Sequence, residues 1–460
     1  MGTDKVYNSI EEVLDIAESA EGKMVGEFDI NNRLDSRGNK GGIGQVLEEG
    51  LFKMAVNSRA EADFVDLGLE LKVTAIKENK KNDFSAKERL VLNIINYEED
   101  YKDSFEESSF WQKNKNLLVI FYLYKDELDK KDFPIIKSVL HNFDPVDLEI
   151  IKQDWQTIID KIKAGEAHNI SEGDTMYLAA CTKGANAKSI RKQPFSNIPA
   201  KQRAFSLKSS YMSAFARRVI DRQLIPSLFN VDELKSKTTL QLLQERFAPY
   251  IGKRVSEIAK LVDIPVTKNK AFNANLISAV LGVKGTKLES LREFSKANIK
   301  FKTIRLEPTG IPKEHMSFEQ IDFHRWVNDA WEDSQLYEKF EYTKYLFVVF
   351  QYDETEKENK NREPYLKGIM LWNMPEVVIE HELKDLWKTT KAILEEGVQL
   401  TPVRNGVSNN LPGASFNGVC HIRPKARDSK DQVELPDGQR ITKQCYWLNR
   451  EYIAEIVKDI

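Results

Sequence analysis

The chain has 460 residues, of which 41% are hydrophobic and 30% charged, so we expect a globular protein of more than one domain. Its longest apolar run, residues 117–124, is too short to span a bilayer, and a net charge of −3 does not by itself indicate a nucleic-acid partner. Three cysteines without a CxxC pair and six scattered histidines argue against a zinc site or a disulfide framework, so a reducing cytoplasmic location is expected.

The first half of the chain predicts a mixture of helices and strands. A capping box at residues 9–12 opens a helix that runs to about Ala20. The glycine-rich segment 38–44 leads into a helical pattern over 45–54, and it lacks the Gly-Lys-Ser/Thr ending of a nucleotide-binding loop. Apolar patterning predicts strands at 62–66, 69–75, 90–96 and 117–124, helices at 147–164 and 210–222, and an extended segment at 203–208. Pro226 and the segment 224–232 around it indicate a domain boundary.

The second half of the chain repeats the first at a spacing of about 230 residues. A Trp-x-Thr followed by glycine occurs at Trp155 and again at Trp387. The other matches keep the same order: residues 61–72 with 291–302, residues 116–122 with 345–351, Lys183 with Lys425, and Ser206 with Trp447. We therefore predict an α/β protein with mixed sheets, duplicated as two tandem domains at residues 1–224 and 225–460.

Charged residues, among them Asp63, Glu70 and Lys72, interrupt the apolar segment 61–73. Residues two apart on a strand share a face, so Glu70 and Lys72 point one way while their apolar neighbours point into the core. If the chain folds back at Leu67-Gly68, Asp63 reaches the same face. Two carboxylates beside a lysine can hold Mg²⁺ with few protein ligands and leave room for a phosphate substrate. Asp-x6-Glu-x-Lys is the pattern of PD-(D/E)xK nucleases, although Glu-x-Lys is also common on solvated strand faces.

The copy of this segment in the second half keeps the apolar residues and changes the acids. The equivalent frame reads Glu293, Lys300 and Lys302, so a lysine replaces Glu70. One copy is therefore expected to bind a divalent cation and the other to repel it, as in an active nuclease domain joined to an inactive DNA-binding copy. The alternative is that the segment is a solvated strand face whose charged residues have changed by drift.

Basic residues are concentrated in the segment 181–222. It contains ten Lys or Arg residues and one acid, Asp221. Such a concentration of one sign indicates a polyanionic partner, and a solvated basic face is the equally simple alternative.

Several segments of the chain resemble the MutH family of GATC endonucleases: KGGIGQVLEEGL, DFVDLGLELK, CTKGANAK and RAFSLKSSYMSA. With KERLVLNIINYE and IIKQDW added, nearly the whole chain is similar to the Sau-type GATC restriction endonucleases of that family. The resemblance implies two restriction-endonuclease-like domains and Mg²⁺-dependent cleavage of double-stranded DNA on the 5′ side of the G in GATC.

The resemblance also implies a catalytic set. Asp63, Glu70 and the Leu71 carbonyl are expected to ligate Mg²⁺, Glu48 to support a second cation or orient water, Lys72 to activate the attacking water, and Lys113 to stabilise charge on the phosphate. Two alternatives stay open: Glu48 as an ordinary exposed helix residue, and Lys115 in the place of Lys113.

DNA contacts are expected from both halves. In the first half the resemblance points to the loop at Lys40 and Gly41 and to Lys183 for a guanine edge, with Arg203 and Lys208 on phosphates. Ser206 stands where MutH has a tyrosine beside the adenine methyl position, so poor discrimination against methylated adenine is predicted. In the second half the candidate contacts are Arg423, Lys425 and Trp447.

Two GATC-binding halves with one active centre suggest that a second site acts as effector, through DNA looping or pairing of two proteins on DNA. Two other functions remain as alternatives. One is a mismatch-repair nickase that cuts one strand of hemimethylated GATC, and the other is a non-catalytic DNA-binding protein.

Overall fold

The computed structural model describes residues 5–35, 41–56, 61–79, 83–184, 189–269, 271–403 and 406–460. It divides into two compact units: unit 1 comprises Met1–Thr238 and Ser290–Asn298, and unit 2 comprises Thr239–Glu289 and Ile299–Ile460. Within the described ranges, no helix combines the length and apolar character that crossing a membrane requires.

Unit 1 contains helices and strands in mixed order. Its helices are α1 (Ile10–Glu18), α2 (Gly42–Val46), α3 (Ser109–Asn114), α4 (Pro145–Lys163), α5 (Ser209–Ile220) and α6 (Val231–Ser236). Its strands are β1 (Glu70–Glu78), β2 (Phe84–Ala86), β3 (Leu90–Ile94), β4 (Asn116–Leu123), β5 (Ile135–Asn142), β6 (Leu178–Thr182), β7 (Ile190–Gln193), β8 (Ser196–Lys201) and β9 (Arg203–Leu207). These bounds confirm the predicted elements in kind, with one exception at residues 62–66.

Local sequence explains where two of these helices begin. At the start of α1, the Ser9 hydroxyl accepts a hydrogen bond from the Glu12 amide, so the predicted Ser9 cap is confirmed. The Glu12 carboxylate accepts from the Asn8 amide, one residue before the Ser9 amide that a capping box would use. The α4 helix has Asp144 as its N-cap and Pro145 in its first turn, where the missing amide proton costs nothing. After α2 the chain continues as a π turn over Leu47–Leu51, and the two together cover residues 45–51 of the predicted helix 45–54.

The strands of unit 1 form a main sheet in the order β2-β1-β4-β5 and smaller sheets in the orders β3-β9-β6 and β7-β8. The β1 and β4 strands are parallel, with Glu70 opposite Leu117. Leu71 and Leu118 pack with Val13 and Ala17 of α1 in one buried cluster, so one face of this strand pair belongs to the core.

The predicted strand at 62–66 is wrong. Phe64 forms an isolated antiparallel bridge with Leu69, and Val65–Leu67 between them is a 3₁₀ turn. The chain reverses between Phe64 and Leu69, and this reversal is so short that the described residues just before Phe64 form no β-ladder. The predicted turn at Leu67-Gly68 is confirmed, since Gly68 takes the left-handed conformation that glycine tolerates best, with φ of 56°.

Unit 2 repeats this arrangement. Its helices are α7 (Thr239–Phe247), α8 (Val255–Leu261), α9 (Phe272–Val280), then, after α10 (Arg292–Lys296) of unit 1, α11 (Phe323–Asn328), α12 (Gln335–Glu341), α13 (Glu376–Val378), α14 (Lys384–Glu396) and α15 (Arg450–Ile456). Its strands are β10 (Ile299–Leu306), β11 (Met316–Gln320), β12 (Lys344–Gln351), β13 (Tyr365–Trp372), β14 (Leu400–Val403), β15 (Gly406–Asn409), β16 (Cys420–Pro424), β17 (Gln432–Glu434), β18 (Arg440–Thr442) and β19 (Gln444–Leu448).

The sheets of unit 2 follow the orders β10-β12-β13, β11-β19-β16, β14-β15 and β17-β18. The β10 and β12 strands are parallel like β1 and β4, and the strand order β11-β19-β16 corresponds to β3-β9-β6. The register also agrees: Trp447 lies opposite His421, as Ser206 lies opposite Ala179. The duplication predicted from the sequence is therefore present in the fold.

Candidate active site

Glu70 lies at the N-terminal end of β1, where the parallel pair with β4 begins. Its side chain is 3% exposed, so this carboxylate is enclosed by protein rather than spread on a solvated strand face. The alternating pattern holds, since Leu69 and Leu71 on either side join the hydrophobic core.

The turn before β1 brings Asp63 to Glu70. The Asp63 amide donates to Oε2 of Glu70 at 3.1 Å, and the Leu71 amide donates to Oδ2 of Asp63 at 3.0 Å. Each carboxylate is therefore held by the main chain next to the other. The sequence-based expectation that Asp63 reaches the face of Glu70 is confirmed.

Two lysines meet the Glu70 carboxylate. Nζ of Lys72 lies 2.7 Å from Oε1 of Glu70, and Nζ of Lys113, on α3, lies 3.7 Å from the same oxygen. Lys113, rather than Lys115, therefore makes the ion pair, which favours the first of the two candidates.

Glu48 lies on the π turn beside these groups, and it is not an ordinary exposed helix residue. Burial, followed by repulsion from Asp63 and Glu70, raises the pKa of Glu48 to about 7. Burial and the charge of Glu70 likewise raise the pKa of Asp63 to about 6. The neighbouring Glu49 points to Arg33 instead, with oxygen–nitrogen distances of 2.5 and 2.6 Å. Glu48 and Asp63 both line a cavity of about 200 Å³.

The donor set suits a small hard cation. Burial, followed by repulsion from neighbouring carboxylates, raises the pKa values of Glu48 and Asp63, and a divalent cation would offset that repulsion. Across the described ranges, no three Asp, Glu, His or Cys side chains converge closely enough to hold a metal ion by themselves. Mg²⁺ is compatible with this arrangement, because it binds through one or two carboxylates and keeps several waters.

The candidate DNA contacts of unit 1 fall into two groups. Lys183 is exposed just after β6, and Gly41 is exposed at the start of α2, whereas Lys40 lies outside the described residues. The other candidates lie on or beside β9 and are buried: Arg203 donates to the Ala180 carbonyl at 2.8 Å, Lys208 to the Thr175 carbonyl at 2.6 Å, and Ser206 to the Ala179 carbonyl at 3.4 Å.

These buried positions differ from the surface contacts expected for Arg203, Ser206 and Lys208. The β9 strand is the central strand of its sheet, and all of its residues are buried. The structure gives each polar group a main-chain partner within the protein. Their contact with DNA, and the tolerance of adenine methylation inferred from Ser206, stay predictions.

In unit 2 the corresponding site is a cluster of cations. Lys302, the counterpart of Lys72, donates to the Ser317 carbonyl at 3.0 Å and lies 4.7 Å from the centre of the Phe318 ring. Burial, then the charge of Lys339, lowers the pKa of Lys302 to about 8. Lys339 forms an ion pair with Glu319.

Sequence reasoning missed Lys339 and Glu319. The signal for Lys339 was available, because Lys113 and Lys339 each follow a helix-capping serine by the same interval, from Ser108 and from Ser334. Glu319 gave no such signal, since its contact with Lys339 depends on tertiary structure.

Glu293, the counterpart of Asp63 in the sequence, is engaged within unit 1. It lies on α10 in unit 1, is fully buried, and accepts hydrogen bonds from the Ser227 hydroxyl at 2.5 Å and the Leu228 amide at 2.9 Å. The acid that corresponds to Asp63 therefore holds the segment at Ser227 and Leu228 of unit 1.

An exposed cationic surface stands beside the lysine cluster of unit 2. The Trp447 indole donates to the Arg423 carbonyl at 3.1 Å, and the charged groups of Arg423 and Lys425 lie 5.5 and 5.9 Å from its ring. The Lys425 ammonium also donates to the Ser317 hydroxyl at 2.6 Å. The structure thus brings together the three contacts predicted for the second half.

A buried glutamate at the head of a parallel strand pair, an aspartate delivered by the preceding turn and a lysine two residues further on define a nuclease of the PD-(D/E)xK type. The model of the family described as DNA mismatch repair enzyme MutH matches the chain twice, over residues 52–154 and 285–385. The type II restriction enzyme Sau3AI of Staphylococcus aureus is 35% identical, with 96% of this chain and 97% of that protein aligned. The chain belongs to the MutH-related family of type II restriction endonucleases, and it is a site-specific deoxyribonuclease.

Other relatives align with less than half of the chain. The DNA mismatch repair protein MutH of Shewanella woodyi is 25% identical over 41% of this chain and 82% of its own length. The corresponding protein of Serratia proteamaculans is 25% identical over 45% of this chain and 92% of its own length. Together with the two regions matched by the family model, these lengths agree with two tandem MutH-like domains.

Proposed function

We propose that this endonuclease cuts both strands of duplex DNA on the 5′ side of the G in GATC, using Mg²⁺, and that its second half binds another GATC site as effector. The observation that carries the proposal is the contrast between the two copies of one site. Asp63, Glu70 and Lys72 converge in the first, while the second presents Lys300 and Lys302. The recognition sequence follows from the resemblance to the Sau-type GATC enzymes.

In the proposed catalytic domain, residues 1–224, the cation is held by Asp63, Glu70 and the Leu71 carbonyl. Bound Mg²⁺ supplies Lewis-acid polarisation of the scissile phosphate and makes water more acidic. Glu48 is close enough to the carboxylates to be repelled by them, which suits a role in holding a second cation or orienting the attacking water.

The two lysines have different proposed roles. The Lys72 ammonium, fixed by its contact with Glu70, orients the attacking water, and its positive charge favours the hydroxide form of that water. Lys113 approaches the same carboxylate from α3 and stabilises the negative charge that builds on the phosphate oxygens. Since Glu70 positions both ammonium groups, its removal should disturb every part of the centre.

In the proposed effector domain, residues 225–460, the cation Lys300 occupies the place of the metal-binding Glu70. Lys302 and Lys425 both contact Ser317, and an ammonium group can balance a DNA phosphate without any metal. This domain is therefore expected to bind GATC without cutting. Because a palindrome has two strands to cut, one active centre must visit both in turn or pair with a second molecule on looped DNA.

Cleavage of plasmid DNA that lacks adenine methylation tests the proposal. With Mg²⁺ we expect double-strand breaks at GATC and faster cutting of a two-site plasmid than of a one-site plasmid, and with EDTA no cutting. Persistent nicks without double-strand breaks would instead indicate a mismatch-repair nickase. Retained binding with no cutting under any divalent cation would indicate a non-catalytic DNA-binding protein.

A further inference from the structure

The β7–β8 hairpin of unit 1 lies in the chain between β6, which ends just before the candidate recognition residue Lys183, and β9. Its base is fixed to that residue by main-chain hydrogen bonds: the Lys183 amide donates to the Gln202 carbonyl at 2.8 Å, and the Gln202 amide donates to the Ser189 carbonyl at 2.8 Å. Any surface presented by the hairpin is therefore held at a set position relative to Lys183.

The far end of the hairpin is also fixed. Gln193 is buried, its side-chain oxygen accepts from the Ala167 amide at 2.9 Å, and its side-chain nitrogen donates to the Ile198 carbonyl at 2.5 Å. Gly165, at φ of 73°, packs so closely that an added Cβ would lie 2.5 Å from the Phe195 carbonyl oxygen. Anchored at both ends, the hairpin is a preorganised ribbon.

The outer surface of this ribbon is cationic and apolar. Arg191, Lys192 and Lys201 are exposed, and no Asp or Glu occurs between residues 189 and 202. Ile190 and Ile198 are 52% and 53% exposed. Exposed isoleucines among cations, in a segment that contains no acid, suit a surface that meets a polyanion with apolar sugar and base edges.

The equivalent hairpin of unit 2, β17–β18, lacks this character. Each of its cations has an acid partner: Nζ of Lys443 lies 2.7 Å from the Asp431 carboxylate, and the Arg440 guanidinium lies 3.7 Å from the Glu434 carboxylate. The same ribbon is thus charged in the unit with the nuclease site and neutralised in the other, which argues against drift of a solvated surface.

We propose that the β7–β8 hairpin is a DNA-docking ribbon of the catalytic unit, with Arg191 and Lys192 on backbone phosphates flanking the recognition site and Ile190 and Ile198 against the groove wall. A two-stranded ribbon has the dimensions to enter a groove of duplex DNA. This proposal rests on the proposed function, because it takes the bound duplex to carry GATC. The hairpin adds contacts that Lys183 alone cannot supply. These contacts strengthen binding without reading sequence.

Salt dependence tests the assignment in the full-length protein. For the double variant Arg191→Gln/Lys192→Gln, single-turnover cleavage of a GATC duplex is followed at rising enzyme concentration between about 50 and about 200 mM salt. We expect a higher half-saturating concentration and a log–log salt slope shallower by about 2, since each phosphate contact contributes about 1. The rate at saturating enzyme should equal that of the wild type.

The control variant Lys23→Gln/Lys125→Gln removes the same charge. Lys125 follows the C-terminal end of β4, whereas Glu70 lies beside its N-terminal end, and the Lys23 carbonyl accepts from Ile135 at the same far end. This variant should match the wild type in slope and half-saturation, and an equal loss in both double variants would overturn the assignment.

Wild-type affinity and slope in the hairpin variant would also overturn the docking role, and so would a lower rate at saturation, which would place the hairpin in the chemistry. Binding to a GATC-free duplex in EDTA separates the two proposals. If the wild type fails to cut GATC, the proposed function fails, while a shallower slope for the hairpin variant on that duplex still supports the ribbon.

Discussion

Glu70 and Lys300 occupy corresponding places in two parallel strand pairs and carry opposite charges. Glu70 faces Leu117 at the start of the β1–β4 pair, and Lys300 faces Tyr345 at the start of the β10–β12 pair. At this place a carboxylate attracts a metal cation, whereas an ammonium group attracts a phosphate and repels the cation. One exchange of charge therefore accounts for two domains of the same fold with different proposed roles.

The first prediction compares two adjacent glutamates. Glu48→Gln should lower the single-turnover cleavage rate by about 10- to 100-fold, the usual cost of losing a group that supports a metal site. Glu49→Gln removes the partner of Arg33 and should leave the rate near that of the wild type, because Glu49 points away from Asp63 and Glu70. Equal effects of the two substitutions would remove Glu48 from the catalytic centre.

The second prediction concerns pH and metal. The pKa values of Glu48 and Asp63, about 7 and about 6, are raised above their ordinary values, so the folded protein binds these protons more tightly than the unfolded chain does. Their contribution to stability is present below the ordinary carboxyl pKa and is lost as pH rises through about 6 to 7. Bound Mg²⁺ requires the deprotonated groups, so its stabilising effect should grow over the same range.

Thermal unfolding with Mg²⁺ or EDTA, measured between about pH 5 and pH 8, checks this linkage. The metal-dependent increase in Tm should be larger at the higher pH, and Glu48→Gln should reduce the difference. A metal effect that is independent of pH would mean that these carboxylates do not bind the cation.

The third prediction concerns a buried ion pair in unit 1. Lys296 and Asp147 are 5% and 1% exposed and form an ion pair, and the Tyr211 hydroxyl donates to the same carboxylate at 3.2 Å. Lys296→Met should destabilise unit 1 by about 3–5 kcal/mol, because it leaves a buried carboxylate without its cation. In urea unfolding, Lys102→Met, which breaks an exposed pair with Glu99, should leave the midpoint unchanged. Unchanged midpoints in both variants would contradict the role given to this pair.

The fourth prediction concerns the effector surface of unit 2. Trp447 holds Arg423 and Lys425 near its ring, so Trp447→Ala should free both cations and weaken effector binding about tenfold. The measurement is stimulation of one-site plasmid cleavage by a GATC duplex added in trans, as a function of duplex concentration. Trp447→Phe keeps an aromatic face and should retain most of the effect, whereas wild-type stimulation in Trp447→Ala would exclude this surface as the effector site.

Sequence periodicity was sufficient for the duplicated fold and for the meeting of Asp63 with Glu70. Both follow from local rules, since alternation places side chains on a face and Gly68 permits the reversal that brings Asp63 back. The prediction of a strand at 62–66 was wrong, because apolar composition does not distinguish a β-ladder from a single bridge followed by a 3₁₀ turn.

Long-range packing decided the remaining differences. The burial of Arg203, Ser206 and Lys208 depends on β9 being the central strand of its sheet, and strand order cannot be read from one strand alone. Glu293 aligns with Asp63, but its partners Ser227 and Leu228 lie far away in the sequence. Contacts of that kind arise only from the complete fold.

Of the two equivalent positions, Glu70 and Lys300, we expect only Glu70 to be required for cutting. The most direct test of this expectation is plasmid cleavage by Glu70→Ala and Lys300→Ala, with GATC binding measured on the same samples. We expect Glu70→Ala to bind DNA without nicking or cutting it, and Lys300→Ala to keep the cleavage rate of the wild type at saturating enzyme. Cleavage by Glu70→Ala at the wild-type rate would contradict the account, because it would place the active centre elsewhere.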